Sequence, residues 1–128
     1  LPVQSAPDTE GWGPATEKEG IKFVHAPTAA LEKVIALRIH LDASTELNGP
    51  LRVIPGSHQK RISDDAEFLR WTQRRSVECH VAKGGVLAMS PLLIHASSKS
   101  KSEAQRRVIH IEYAPDLEIA AGIKLAFA

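Results

Sequence analysis

His95 and Arg106 are the residues whose types and spacing most directly indicate chemistry in this sequence. His95 follows the apolar run 91–94, and Arg106 comes 11 positions later, just before a second apolar run, 108–114. A neutral imidazole binds iron, zinc or copper, and a guanidinium binds a carboxylate through two parallel hydrogen bonds. If the two runs are paired strands joined by the polar loop 99–105, the spacing predicts a metal ion beside a bound carboxylate.

Short apolar runs separated by glycine and proline turns predict the elements that position these residues. Strands are predicted over 34–41, 51–54, 77–81, 86–94 and 108–114. Tight turns are predicted at Asn48-Gly49 and at Lys83-Gly84-Gly85, the second joining two strands as a hairpin. Many short strands with few helices indicate an all-β sandwich or barrel.

Only short helices are predicted beside these strands. Asp64 and Glu67 resemble a capping box that opens one helix, and Thr28 is the predicted cap of a helical turn. Residues 1–20 show no periodicity and are predicted to form a loop or lid. Residues 115–128 fit either a further strand or a terminal tail.

The composition excludes several classes of protein. A chain of 128 residues forms one domain, and 16 basic against 15 acidic residues argue against nucleic acid or a membrane surface as a partner. The single cysteine, Cys79, excludes an intrachain disulfide. It agrees with a reducing compartment, so a cytoplasmic location is predicted.

Three segments, in chain order, resemble one enzyme family. Residues 48–58 read NGPLRVIPGSH and resemble the family pattern NG-x-L-x-V-x-PGSH. Residues 84–95 resemble a "GD-V…PLLLHGS" strand pair, and residues 106–114 resemble the last core strand. The family is that of the phytanoyl-CoA dioxygenases, which depend on Fe(II) and 2-oxoglutarate. The resemblance implies a mainly β fold, the double-stranded β-helix or cupin-type jelly roll, with one or two short helices. Residues 34–128 would be its C-terminal part, and residues 1–33 a loop or lid segment leading into it.

The same resemblance implies roles for three residues. His95 is the expected iron ligand, Arg106 the expected clamp on the distal carboxylate of 2-oxoglutarate, and Ser97 a further contact to that carboxylate. Arg107 would point to the opposite strand face from Arg106, because successive strand residues alternate. The implied partners are a small-molecule substrate and O2, and the implied products include succinate and CO2.

The remaining metal ligands are the difficulty. A facial triad needs two histidines and one carboxylate, and His40-Leu41-Asp42 is a His-x-Asp triplet with both side chains on one strand face. However, residues 41–49 resemble a family stretch, LDDATEENG, that follows the metal pair. The resemblance therefore implies that the pair lies before Leu1 and that the chain is a fragment. Two alternatives stay open: a non-catalytic barrel remnant, and a cupin-like metal-binding module using His40, Asp42 and His95.

An incomplete barrel has a consequence for association. Closure removes unpaired strand edges, and an exposed edge recruits another chain. The predicted edge lies beside residues 34–41 or a neighbouring strand. A fragment is therefore predicted to form a homodimer through exposed strands, or to aggregate.

Overall fold

Strands dominate the computed structural model, which describes residues 1–8, 10–59, 62 and 64–126. Strands β1 to β11 are Pro2–Val3, Ala15–Lys18, Ile21–Val24, Ile35–His40, Leu51–Val53, Val77–Cys79, Val86–Met89, His95–Ser97, Val108–Tyr113, Glu118–Ala120 and Ile123–Lys124. The helices are α1, Thr28–Leu31, and α2, Asp65–Thr72, and a 3-10 turn spans Ser57–Gln59. The all-β prediction is therefore confirmed.

The chain divides into two compact units. The first contains Leu1–Val34 together with the residues from Ala114 onward, and the second is Ile35–Tyr113. All of the predicted site residues, including His95 and Arg106, belong to the second unit.

The second unit consists of two three-stranded antiparallel sheets. In the β4 sheet, β4 lies between β7 and β9, and Ala36 is opposite Met89. In the β5 sheet, β5 lies between β6 and β8, and Leu51 is opposite both Cys79 and Ser97. Ala36, Met89 and Leu51 belong to one buried cluster, so the two sheets face each other across it.

Except for β5 and β6, which pair with each other, successive strands of this unit change sheets, as strands do in a jelly roll. β4, β7 and β9 belong to one sheet, and β5, β6 and β8 belong to the other. Jelly rolls are built from about eight strands, and the described part of this unit supplies two sheets of three. The cupin-type fold implied by the resemblance is therefore confirmed in incomplete form.

The same alternation between sheets overturns three predicted connections. The predicted strand 86–94 is two strands, because β7 ends at Met89 and a turn, in which Leu93 N donates to Ser90 O at 3.0 Å, leads into β8. β6 forms no hairpin with β7, and the glycine turn instead binds β4 through Gly84 N and His40 O at 2.7 Å. β8 and β9 do not pair either. Apolar runs identify strands, but the packing of the whole sandwich selects their partners.

The first unit corrects the predicted loop. Residues 1–33, expected to form a loop or lid, contain β1, β3 and β2 in one antiparallel sheet. Strands β10 and β11 form a hairpin in the same unit, and a bridge joins Val3 to Leu125. Val3, Val24, Ile119 and Ile123 are among its buried core residues. The strands were missed because they are short, and β2 is exposed throughout, so no apolar alternation reveals them.

The two helices differ in how well their caps were predicted. Glu67 N donates to the Asp64 carboxylate at 2.7 Å, so the predicted cap of α2 is confirmed. The predicted cap of α1 is wrong, because Thr28 is already helical and Pro27 precedes it without a side-chain cap bond. None of the helices in the described residues has the length and apolar character needed to cross a membrane.

Candidate metal and carboxylate site

His95 is the first residue of β8, and one of its ring nitrogens is hydrogen-bonded. Its Nδ1 lies 2.6 Å from the backbone oxygen of Leu93. A carbonyl oxygen can only accept, so Nδ1 carries the proton and Nε2 keeps its lone pair. Metal-binding histidines commonly donate their second ring nitrogen to a carbonyl in this way, which orients the ring and fixes the tautomer. The His95 side chain is exposed, so Nε2 is accessible to a metal ion.

Ser57 anchors the segment that leads into His95. Its side chain is fully buried, and its hydroxyl accepts from Ile94 N at 2.9 Å while donating to Ile54 O at 2.8 Å. Ile54 N in turn donates to Ile94 O at 3.0 Å. Sequence reasoning assigned this serine no role beyond its place in the family pattern NG-x-L-x-V-x-PGSH. Its position in the PGSH turn was the only signal that could have drawn attention to it.

Ser97 shares a strand face with His95. Val53 is opposite His95 in the register, and Leu51 is opposite Ser97. Opposed residues of an antiparallel pair project from the same side of the sheet, and Leu51 is buried in the cluster between the sheets. The side of β8 that carries His95 and Ser97 is therefore the side turned towards the β4 sheet.

Arg106 precedes β9 of the β4 sheet, and its side chain contacts the tight turn at Asn48-Gly49. Its Nε donates to Asn48 O at 3.2 Å. The next residue, Gly49, has φ +72 and lies so close to the backbone of Ser98 and Ser100 that a Cβ atom would collide with it. The turn thus connects the arginine with the strand of Ser97. Pairing of the two strands was predicted to bring Arg106 close to His95. The turn at Asn48-Gly49 instead links Arg106 to the segment that follows β8.

The inner face of β4 is polar and buried at this end. His40 is only 2% exposed, and neither of its ring nitrogens has a hydrogen-bond partner. Burial lowers the pKa of His40, as do the charges of Arg38 and Arg106, and these effects outweigh a backbone contact with Asp42 that raises it. Burial and the charge of Arg106 also lower the pKa of Arg38. The imidazole is therefore neutral beside two guanidinium groups.

The carboxylate of Asp42 is bound by Arg107. It accepts from Arg107 Nε at 2.8 Å, from Arg107 Nη2 at 3.0 Å and from the backbone N of Arg107 at 2.9 Å. These hydrogen bonds hold the pKa of Asp42 well below its usual range, and the ion pair raises the pKa of Arg107. Arg107 is thereby held in an ion pair, whereas Arg106 donates to Asn48 O.

The His40, Asp42 and His95 alternative is therefore wrong. In the described residues no three His, Cys, Asp or Glu side chains form a group that could hold a metal ion. Arg107 holds the Asp42 carboxylate, and His40 is enclosed between the sheets. His40 is the last residue of β4, and Asp42 lies beyond the end of the strand, where alternation no longer fixes its direction. Their surroundings separate them, and the sequence does not show those surroundings.

A cavity of about 400 Å³ lies between the two sheets, and Leu93 is one of the residues that line it. Its lining is mainly apolar and includes Val53, Leu87, Met89 and Leu93, with Cys79 among them. Burial raises the pKa of the Cys79 thiol. The cysteine is therefore a protonated wall residue here and not a thiolate ligand.

Comparison with known proteins identifies the family. The profile of the phytanoyl-CoA dioxygenase (PhyH) family matches residues 17–108. The chain belongs to this family. The resemblance in the three sequence segments is therefore confirmed, and the chain is a member of a family of Fe(II)- and 2-oxoglutarate-dependent oxygenases.

Several solved structures are similar to the PhyH chain. It is 33% identical to EvdMO1, with a TM-score of 0.59, over 66% of this chain and 20% of that one. It is 36% identical to AviO1 from Streptomyces viridochromogenes Tue57, with a TM-score of 0.57, over 64% and 37%. EctD from S. alaskensis, solved with 2-oxoglutarate and 5-hydroxyectoine, is 26% identical with a TM-score of 0.56, over 63% and 30%. EctD has also been solved with bound Fe.

The PhyH chain is much shorter than these relatives. It spans 20% of EvdMO1, 30% of EctD and 37% of AviO1. A comparison with curated proteins finds no match.

Proposed function

We propose that this PhyH chain is the C-terminal part of an Fe(II)- and 2-oxoglutarate-dependent hydroxylase, and that His95 is one of its iron ligands. The observation that carries the proposal is the hydrogen bond from His95 Nδ1 to Leu93 O, which leaves an exposed Nε2 lone pair. A facial triad requires a neutral imidazole of this kind. When bound, iron(II) supplies the activation of O2.

Arg106 is the proposed clamp on the distal carboxylate of 2-oxoglutarate. One hydrogen bond, from Nε to Asn48 O, fixes the side chain. Within the described residues, the two terminal nitrogens of the Arg106 guanidinium make no hydrogen bond, so both nitrogens are available for a bidentate contact with a carboxylate. Ser97, on the face of β8 that is turned towards the same interior, is proposed as a second donor to that carboxylate.

The other two metal ligands are proposed to come from a part of the protein outside this sequence. The described residues provide no three-ligand group, and the solved relatives are about three to five times longer than their matched regions. Residues 34–128 would then be the C-terminal part of the oxygenase domain, with residues 1–33 leading into it. The single free Cys79 supports the proposal of a cytoplasmic enzyme.

A small molecule is the proposed substrate, and the cavity beside Leu93 supports this. Its volume of about 400 Å³ lies within the range of small-ligand sites. Leu93 lines the cavity and also accepts the hydrogen bond from His95, so the cavity adjoins the residue that orients the proposed iron ligand.

The natural protein from which this sequence comes provides the test. Anaerobic addition of Fe(II) and 2-oxoglutarate should produce a visible charge-transfer absorption, and admission of O2 should yield succinate. His95→Ala should abolish both signals. Arg106→Ala should raise the 2-oxoglutarate concentration required for half-maximal absorption by roughly tenfold or more. His80→Ala is the matched control, since His80 is an exposed histidine that pairs with Glu78.

The outcomes distinguish the proposal from a non-catalytic barrel remnant. A protein that binds neither Fe(II) nor 2-oxoglutarate would be such a remnant. Equal signals from the His95→Ala and His80→Ala variants would contradict the assignment of the ligand and leave the family membership unaffected.

A further inference from the structure

The inner face of β4 contains buried polar atoms that nothing in the described residues satisfies. Both ring nitrogens of His40 and the Nε of Arg38 are buried without a hydrogen-bond partner. A buried polar group without a partner costs about 1–3 kcal/mol. Such groups are rare in folded proteins, and each one requires an explanation such as a bound ligand, ion or water molecule.

The strand register places Arg106 next to these atoms. Val108 is opposite His40, and Leu41 N donates to Arg107 O at 3.0 Å, so the pairing continues past the end of β9. Alternation then puts Arg106 on the face of Val108, diagonal to His40. The three side chains thus form a cluster with two positive charges and one neutral ring.

The carboxylates near this cluster are used by other groups. Arg107 holds Asp42 through both side-chain oxygens. Glu112, on the same face of β9, lies 3.6 Å from His110 Nε2. None of the ion pairs among the described residues involves Arg38 or Arg106. Two neighbouring guanidinium groups without a counter-ion form a site for an anion.

We propose that Arg38 and His40 complete, together with Arg106, one buried binding site for a carboxylate. A carboxylate has about four acceptor positions, which two guanidinium groups and one imidazole N–H can occupy together. The identification of the ligand as the distal carboxylate of a 2-oxo diacid rests on the proposed function. Arg38 and His40 would then help to select a dicarboxylic cosubstrate over a monocarboxylic one.

Titration of the natural protein from which this sequence comes with 2-oxoglutarate, in the absence of iron and followed through the ring resonances of His40, tests this inference. Bound carboxylate should shift these resonances and raise the pKa of His40, because its negative charge offsets Arg38 and Arg106, the cations that lower it. His110 and Glu112 face the same side from β9 and are present in every variant. Arg38→Gln and Arg106→Gln should each weaken binding by roughly tenfold or more, and Arg38→Lys should restore part of the loss.

Controls separate a binding role from a structural one. Arg107→Gln removes an arginine from the opposite face of the same strand and should leave binding unchanged. The amide spectrum of each variant shows whether it is folded, and Arg38→Lys keeps the charge at the buried position. Inorganic phosphate and butyrate, added in place of 2-oxoglutarate, report whether the site distinguishes a diacid from other anions.

Each outcome supports or overturns the inference. If 2-oxoglutarate binds and Arg106→Gln alone weakens it, with His40 unperturbed, Arg38 and His40 are not part of the site, although the proposed function stands. If phosphate binds in preference to 2-oxoglutarate and depends on Arg38, the carboxylate assignment fails, and with it the proposed cosubstrate clamp. Absence of binding by all three anions at millimolar concentration overturns the inference.

Discussion

At the scale of single residues, the chain separates two arginines that are adjacent in sequence. Arg106 is turned inward and donates to Asn48 O, whereas Arg107 forms a bidentate ion pair with Asp42. Successive residues of an extended backbone project to opposite sides, and the two arginines have different partners. One arginine remains available for a ligand, and the other fastens the end of β4 to the start of β9.

The Asp42–Arg107 pair predicts a specific dependence of stability on pH. The pKa of Asp42 is depressed from its ordinary value of 3.8, so the unfolded chain takes up the proton first as the pH falls. The stabilisation is therefore complete above about pH 5 and is lost progressively as the pH falls below about 4. Asp42→Asn should lower the urea midpoint at pH 7 by a small amount, because the pair is exposed, and the difference from wild type should shrink on acidification.

Arg107→Gln is the companion variant for this measurement. It removes the partner of Asp42 and should show the same narrowing of the difference at low pH. If Asp42→Asn and wild type instead lose stability in parallel from pH 7 to pH 3, the ion pair does not stabilise the folded chain.

At the scale of elements, the Asn48-Gly49 turn links the two sheets at the site. The turn was predicted from its sequence, but its contact with the segment after β8 was not. Gly49 has φ +72 and lies against the backbone of Ser98, whereas Gly84 has φ +80 and open space where a Cβ atom would be. The two glycines thus share a left-handed conformation and differ in their surroundings.

This difference makes Gly84→Ala a matched control for Gly49→Ala. Gly84→Ala should cost about 1–2 kcal/mol of unfolding free energy, because only the left-handed backbone is strained. Gly49→Ala should cost about 1–3 kcal/mol more, because the added methyl group collides with backbone that cannot move freely. Urea denaturation measures both values, and equal losses for the two variants would contradict the close approach of Gly49 to Ser98.

At the scale of the whole molecule, the edges of the sheets are the features on which the predicted association depends. The edge was expected beside residues 34–41 or a neighbouring strand, and β4 proves to be central, with β9 outermost in its sheet. β8 is outermost in the β5 sheet. β9 is long and apolar for an edge strand, and Ile109 and Tyr113 are 46% and 52% exposed. Such an edge is a template for pairing with a second chain.

The isolated 128-residue chain is therefore expected to dimerise or aggregate, and light scattering measures this. Ile109→Lys places a charge on the β9 edge and should reduce the association. Leu69→Lys, which places the same charge on an exposed leucine of α2, should not reduce it. A monodisperse, cooperatively unfolding monomer at high concentration would show that the edges of this chain do not recruit a partner.

The sequence by itself determined the residue types of the site, most of the strands, the cap of α2 and, through three ordered segments, the family. These features depend on local spacing, and His95, Arg106 and Asp64 each carry a signal within a few positions. Only the tertiary structure decided which strands pair, because β8 pairs with β5 and β9 pairs with β4 in the packed sandwich.

The tertiary structure also decided which face of β4 is buried. Alternation shows that Ile35 and Leu41 share one face and Ala36 and His40 the other, but burial depends on the opposing sheet. The apolar face is the more exposed one, and His40 is enclosed. Ser57 and the Asp42–Arg107 pair were missed for the same reason, since their partners lie 37 and 65 positions away in the chain.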